Sequence, residues 1–213
     1  MFRTAALILA LTLGAASAEA REVAIPRESD SDEVARLYFT EDPDAPRHAP
    51  PGYDFTIVEY MDYQCPACGE ANATLRQLMA EDKRVRIIFR DIPVFGPASE
   101  KAARVAIAAK YQNKYLAVHQ ALLHSSRPLD DRRIEAAVRR AGADWELLQA
   151  DLRRHSADIE DLIERNKIQA DMLRMSGTPG FIIGTSLVFG TVSLATIRKL
   201  IAEARAKRAR AGR

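Results

Sequence analysis

The stretch "EYMDYQCPACGEAN", residues 59–72, holds both cysteines of the 213-residue chain, Cys65 and Cys68, with only Pro66 and Ala67 between them. It decides the fold because of what flanks it. Immediately upstream, "FTIVEYM" (55–61) is a short apolar run rich in β-branched and aromatic residues, the pattern of a strand buried on both faces. Downstream, "EANATLRQLMAED" (70–82) sets Ala71, Leu75, Leu78 and Met79 at helical spacing. "RVRIIFRDIPVFG" (84–96) then reads as a second strand, stopped by Pro93 and Gly96. Strand, helix and strand in this order predict a βαβ unit with a parallel pair, and Cys65 falls at the start of its helix.

That position carries chemistry. Proline is favoured at the first helical turn, where its missing N–H costs nothing. The unpaired amides and the helix dipole together present about half a positive charge to Cys65, which favours its thiolate. Cys68, one turn on, is expected to be less exposed. Cys65 is then suited to form a mixed disulfide with another thiol, and Cys68 to resolve it. As a structural staple the pair is poor: closing a four-residue loop contributes about 2 kcal/mol, against about 4.7 kcal/mol for a 100-residue loop. Other readings of the two thiols stay open. Half a zinc site needs two further ligands, and His48, His119, His124 and His155 are scattered along the chain. A Cu(I) carrier using two thiolates is chemically reasonable, with Met61 as the one nearby soft ligand. An inert bridge is the third.

Outward from the βαβ unit, "MFRTAALILALTLGAASAEA" (1–20) has an early cation, an apolar run of about a dozen residues and small-residue cleavage options, the features of a secretory signal peptide. The run is short of the roughly 20 apolar residues that span a bilayer. Export to the periplasm is the expectation, in a compartment where disulfides persist. Residues 21–52 are expected to form an extended lead-in, since Pro43, Pro46, Pro50 and Pro51 crowd its second half. Residues 53–97 hold the βαβ unit. From 98 to 176 the period is helical throughout, and Pro128, Gly142 and nearby Ser and Asp residues divide the segment into about four helices; Trp145, the only tryptophan, lies within it. "FIIGTSLVFG" (181–190) has the pattern of a hairpin, and "SLATIRKLIAEARAKR" (193–208) that of a closing helix with Ser193 as N-cap. Residues 208–213 form a basic tail, read as a solvated terminus. The charge is nearly balanced, 31 Lys and Arg against 29 Asp and Glu, which argues against nucleic acid as a partner.

The order and spacing of these features resemble the DsbA-like family of thioredoxin-fold thiol-disulfide oxidoreductases. The residues that carry the resemblance are "TIVEYMDYQCPAC" (56–68), the helical insertion, and "GTPGFIIG" (177–184) leading into hairpin and helix. It implies an α/β thioredoxin fold with a helical domain inserted between the βαβ unit and the C-terminal part (177–207). It implies that Cys65 and Cys68 form a redox disulfide, with no cofactor and no metal. It also implies that Thr178 and Pro179 make a cis-proline loop that faces the cysteines and binds substrate backbone. Glu59 matches the family's partly buried carboxylate beneath the pair. Independently, a carboxylate within an apolar strand is expected to be desolvated and able to relay a proton to or from Cys68. Tyr63 and Gln64 are read as surface residues of the substrate lip.

The expected activity is donation of the disulfide to reduced or misoxidised exported proteins by a monomer that a membrane redox partner, DsbB-like or DsbD-like, resets. Ala67 stands where strong oxidases of the family have a histidine, which points to a milder oxidant. Thr178 also resembles the isomerase and reductase branches. That direction is therefore the near alternative, and a thiol-based copper chaperone the distant one.

Overall fold

The computed structural model describes residues 28–211. The expected signal peptide and the last two residues of the basic tail lie outside the described residues. Strands β1 (Arg47–His48), β2 (Phe55–Met61), β3 (Val85–Asp91), β4 (Gly180–Ile183) and β5 (Ser186–Phe189) form one sheet in the order β1-β3-β2-β4-β5. Only β2 and β3 are parallel, from Phe55↔Val85 to Met61↔Asp91; the other pairs are antiparallel. The parallel crossover is α2 (Pro66–Glu81), whose Cys68, Ala71, Leu75, Leu78 and Met79 are buried. This is the βαβ unit read from the sequence. It has the observed bounds because β2 and β3 are buried on both faces and Pro93 halts the second strand.

The inserted block is wholly helical: α3 (Pro97–Ala108), a 3-10 turn (Ala109–Gln112), α4 (Tyr115–Leu123), α5 (Asp131–Arg140), α6 (Trp145–Arg154) and α7 (Ser156–Met172). It has one more helix than expected, because the long run from residue 99 breaks at Asn113, a left-handed residue with φ of 56°. Asp130 and Asp144 cap α5 and α6 through side-chain oxygens that accept from Arg133 N and Leu147 N, each at 2.8 Å. β4 and β5 turn through Gly184 and Thr185, and Gly184 takes φ of 65°, which an L residue rarely adopts. α8 (Leu194–Ala211) closes the fold with the predicted Ser193 cap, its Oγ accepting from Thr196 N at 3.1 Å. α8 runs through the first four residues of the expected basic tail.

The lead-in departs from expectation. Within residues 21–52, α1 (Glu28–Thr40) is a helix and β1 adds an edge to the sheet. The four prolines that predict extended chain begin only at Pro43, and Glu28–Thr40 itself contains no proline to interrupt the helix. Its C-terminal end is held by contacts invisible to local reading. The Phe39 carbonyl accepts from Arg90 Nη2 at 3.0 Å, and that of Tyr38 from Gln169 Nε2 at 3.1 Å. Arg86 of β3 donates to Glu41, and Arg90 to Asp42 Oδ2 at 2.7 Å.

The two faces of the sheet do different work. Phe55, Ile57, Met61, Ile87, Phe89, Phe181 and Ile183 belong to one large core with α2, α4 and α8, whereas Val58, Tyr60 and Ile88 belong to a smaller core with Ala170 of α7. Strand alternation therefore sends Glu59 and Asp91 to the α2 side and Arg86 and Arg90 to the opposite one. Among the described residues no helix is long and apolar enough to cross a membrane.

Candidate active site

Cys65 is the N-cap of α2, with φ −75° and ψ 118°, and Pro66 follows in the first turn. The residue is only 4 % exposed and Cys68 is fully buried behind it; both are free thiols. The Cys65 thiol donates to the main-chain oxygen of Thr178 at 3.3 Å. The Thr178–Pro179 bond is cis, and Gly180 begins β4, which pairs with β2 through Tyr60↔Gly180. The proline loop and the cysteine pair therefore meet although 113 residues separate them.

The two thiols are electrostatically unlike. A hydrogen bond from Cys68, aided by the Thr178 side chain and the amides of Ala67 and Cys68, outweighs burial and draws the Cys65 thiol down to about 6. The same bond, with burial, drives Cys68 upward. The helix start supplies what Ala67, with no polar side chain, cannot.

Glu59, midway along β2, is fully buried and neither of its carboxyl oxygens has a hydrogen-bond partner. Burial first, then the negative charges of Asp91 and Cys65, push it up to about 8, so that it holds a proton at neutral pH. The structure thus brings Cys65 against the Thr178–Pro179 loop, with Cys68 buried behind it and Glu59 on the face of the sheet that α2 covers.

Asp62, which sequence reasoning passed over, pins the chain just before Cys65. Its Oδ1 accepts from Gln64 N at 2.6 Å and Ser99 Oγ at 2.7 Å, and its Oδ2 from Val94 N at 2.7 Å and Phe95 N at 3.2 Å. The aspartate followed two residues later by a turn amide was the available signal. From the helical block, Arg127 Nε donates to Tyr63 O at 3.3 Å, and Gln64 Oε1 accepts from Leu129 N at 2.8 Å.

Tyr63 corrects an expectation. It is buried, with its hydroxyl 3.1 Å from His119 Nδ1, rather than on a surface lip. The turn at Asp62 directs the ring into the core beside α4. Val94 and Phe95 are both more than half exposed, and Val94 lines a groove of about 170 Å³ together with Ile92, Ala170, Met175, Gly177 and Thr178. Among the described residues no group of three or more His, Cys, Asp or Glu side chains could hold a metal ion.

An N-capping cysteine with a buried partner one turn on, facing a cis-proline loop across a mixed sheet, defines a thioredoxin-fold dithiol protein. A family model described as "DSBA-like thioredoxin domain" matches residues 56–202, and the chain belongs to this family of thiol-disulfide oxidoreductases. Among solved structures it is similar to a thioredoxin-like oxidoreductase from Silicibacter pomeroyi DSS-3, with 34% identity, a TM-score of 0.76, and coverage of 80% of this chain and 98% of that one. It is also similar to the thiol-disulfide exchange protein alpha-DsbA2 from Wolbachia pipientis, with 29% identity, a TM-score of 0.76, and coverage of 80% and 92%. A curated relative, Na(+)/H(+) antiporter NhaA 3 of Salinispora tropica, is 33% identical over 165 residues, which are 72% of this chain and 24% of the antiporter. The chain thus spans about a quarter of the length of the curated relatives it matches.

Proposed function

We propose that this chain is an exported thiol-disulfide oxidoreductase that passes a Cys65–Cys68 disulfide to reduced or misoxidised exported proteins. The observation that carries the reading is the asymmetry of the pair: one thiol at a helix start against the Thr178 carbonyl, the other fully buried behind it. A substrate thiolate attacks Cys65 Sγ, the S–S bond breaks, and Cys68 leaves with the electron pair. A second substrate thiolate then attacks the substrate sulfur of the mixed disulfide and releases Cys65 as a thiolate. The substrate is oxidised by two electrons and the enzyme pair reduced by two, with Cys68 taking up one proton. In this reading Glu59, buried and protonated at neutral pH, is the acid that supplies that proton, and the Thr178–Pro179 loop presents backbone to the bound peptide.

The signal-peptide pattern of residues 1–20 supports a periplasmic location, and a DsbB-like membrane protein is the partner that would restore the disulfide. The reading takes the chain as a monomer without cofactor. Ala67 and Thr178 support a second direction, as isomerase or reductase served by a DsbD-like partner: Ala67 adds no side-chain donor that would make the pair strongly oxidising, and Thr178 resembles those branches of the family.

Insulin reduction and refolding of reduced ribonuclease test the reading. The wild type is expected to catalyse thiol exchange and Cys65→Ser to lose it by at least about 100-fold, since a serine hydroxyl is not ionised at neutral pH. Equal activity in the two proteins rules the proposal out. The redox state of the pair in cells then separates the directions: oxidised for a donor, reduced for an isomerase or reductase.

A further inference from the structure

Asp91, the last residue of β3, is as deeply buried as Glu59 and takes no part in the exchange described so far. It lies on the same face of the sheet: Glu59 pairs with Phe89 and Met61 with Asp91, so the two acids are one two-residue step apart on neighbouring strands. Strand spacing and rise put their Cα atoms roughly 8 Å apart. Among the described residues neither carboxyl has an ion-pair partner. The nearest cation in sequence, Arg90, points through the other face of the sheet to Asp42 and Asn166.

What faces Asp91 is acidic or neutral. From β2 comes Glu59, and from the turn beyond it Asp62 and Tyr63. From α4, the Tyr115 hydroxyl donates to Asp91 at 3.1 Å from Oδ1 and 3.0 Å from Oδ2, and His119 stacks on Tyr115 with ring centroids 5.6 Å apart. His119 adds no charge near neutrality, because burial pushes it down to about 3. From α7, Asn166 donates to the Asp91 main-chain oxygen at 3.1 Å, and from α3, Ser99 reaches Asp62 at 2.7 Å. From the start of α2, the Cys65 charge acts on the other acid, Glu59.

We propose that Asp91 is a positioning residue for the proton taken up by Cys68: held by Tyr115, it forms with Glu59 a buried carboxyl pair beneath the dithiol and keeps the Glu59 carboxyl protonated until the disulfide opens. The inference rests on the exchange reading above. As the substrate thiolate bonds to Cys65 and Cys68 leaves as a thiolate, Glu59 gives Cys68 its proton and becomes a carboxylate, which water reprotonates. Two like charges in one dry core cannot both be held cheaply, so the pair retains a proton at a pH where a lone, solvated carboxyl has lost it. Burial accounts for most of the upward displacement of Asp91, to about 7, and the charge of Asp91 adds to that of Glu59.

The test is the pH dependence of thiol exchange in wild type and Asp91→Asn. The variant keeps the shape of the side chain and removes its charge, and the alkaline limb of its profile is expected to fall by about one pH unit or more. A profile superimposable on that of the wild type, with only the stability reduced, overturns the proposal. Should Asp91→Asn not fold, carboxyl carbon resonances of Glu59 and Asp91 in the wild-type protein decide. Coupled titration of the two, each curve carrying an inflection where the other titrates, supports the pair. A single independent curve for Glu59 contradicts it. A wild type inactive at every pH defeats the exchange reading together with this step, whereas an active wild type and an unmoved variant profile defeat this inference alone.

Discussion

At the scale of single residues, the site depends on groups whose charge the fold has displaced from its ordinary value. Glu59 is the clearest. Its pKa is raised from 4.5 to about 8, so its contribution to stability is fully present below about 4.5 and is lost as pH rises through about 8. Glu59→Gln has no proton to lose. Reduced Glu59→Gln is therefore expected to gain on reduced wild type by more than about 1 kcal/mol between about pH 6 and pH 9, read as the difference in urea midpoints, since each pKa unit is worth about 1.4 kcal/mol. A difference that stays flat over that window contradicts the assignment of a buried, protonated Glu59. Cys65, Cys68 and Glu59 were legible because local sequence determines their setting: a proline-marked helix start, and a carboxylate inside an apolar strand. Asp91 and Tyr63 were not. Asp91 stands at a strand end where an aspartate ordinarily meets water, and only the packing of α4, 24 residues away at Tyr115, closes it off.

At the scale of elements, a buried ion pair seats the end of α1. Arg90 is fully buried on the far face of the sheet, and Asp42, just past the end of α1, supplies its counter-charge at 2.7 Å with only 10 % of the side chain exposed. Removing one member of such a pair strands the other charge away from water. Asp42→Ala is expected to destabilise the protein by about 3 kcal/mol or more in denaturant unfolding, while the Cys65 thiol keeps its reactivity, because Arg90 and the cysteines lie on opposite faces. A loss under about 1 kcal/mol contradicts a structural role for this pair. The same contacts explain why the first helix was misread as extended chain. Its apolar residues are few, and it is fixed by Arg86, Arg90 and Gln169, residues 45 to 131 positions away. The hairpin and the closing helix could be read directly, since Gly184 and Ser193 act within two to three residues of themselves.

At the scale of the whole molecule, chain order explains how distant segments make one site. The helical block leaves the sheet after β3 and returns it at β4, so that the cis-proline loop arrives against the helix start from the far side of β2. On the way the block braces the approach to Cys65, through Arg127 and Leu129 on the Tyr63–Gln64 segment and through Ser99 on Asp62. Composition and order placed this block correctly as helical, but its role as a brace depends on side-chain contacts across more than 30 residues, which periodicity does not encode.

All three scales converge on an unequal pair of thiols, and alkylation of the reduced protein at each cysteine across the pH range measures it directly. The account predicts that Cys65 reacts with a midpoint at about 6 while Cys68 stays unmodified through neutral pH. Two cysteines that react alike, each with the ordinary thiol midpoint of about 8.5, would contradict it.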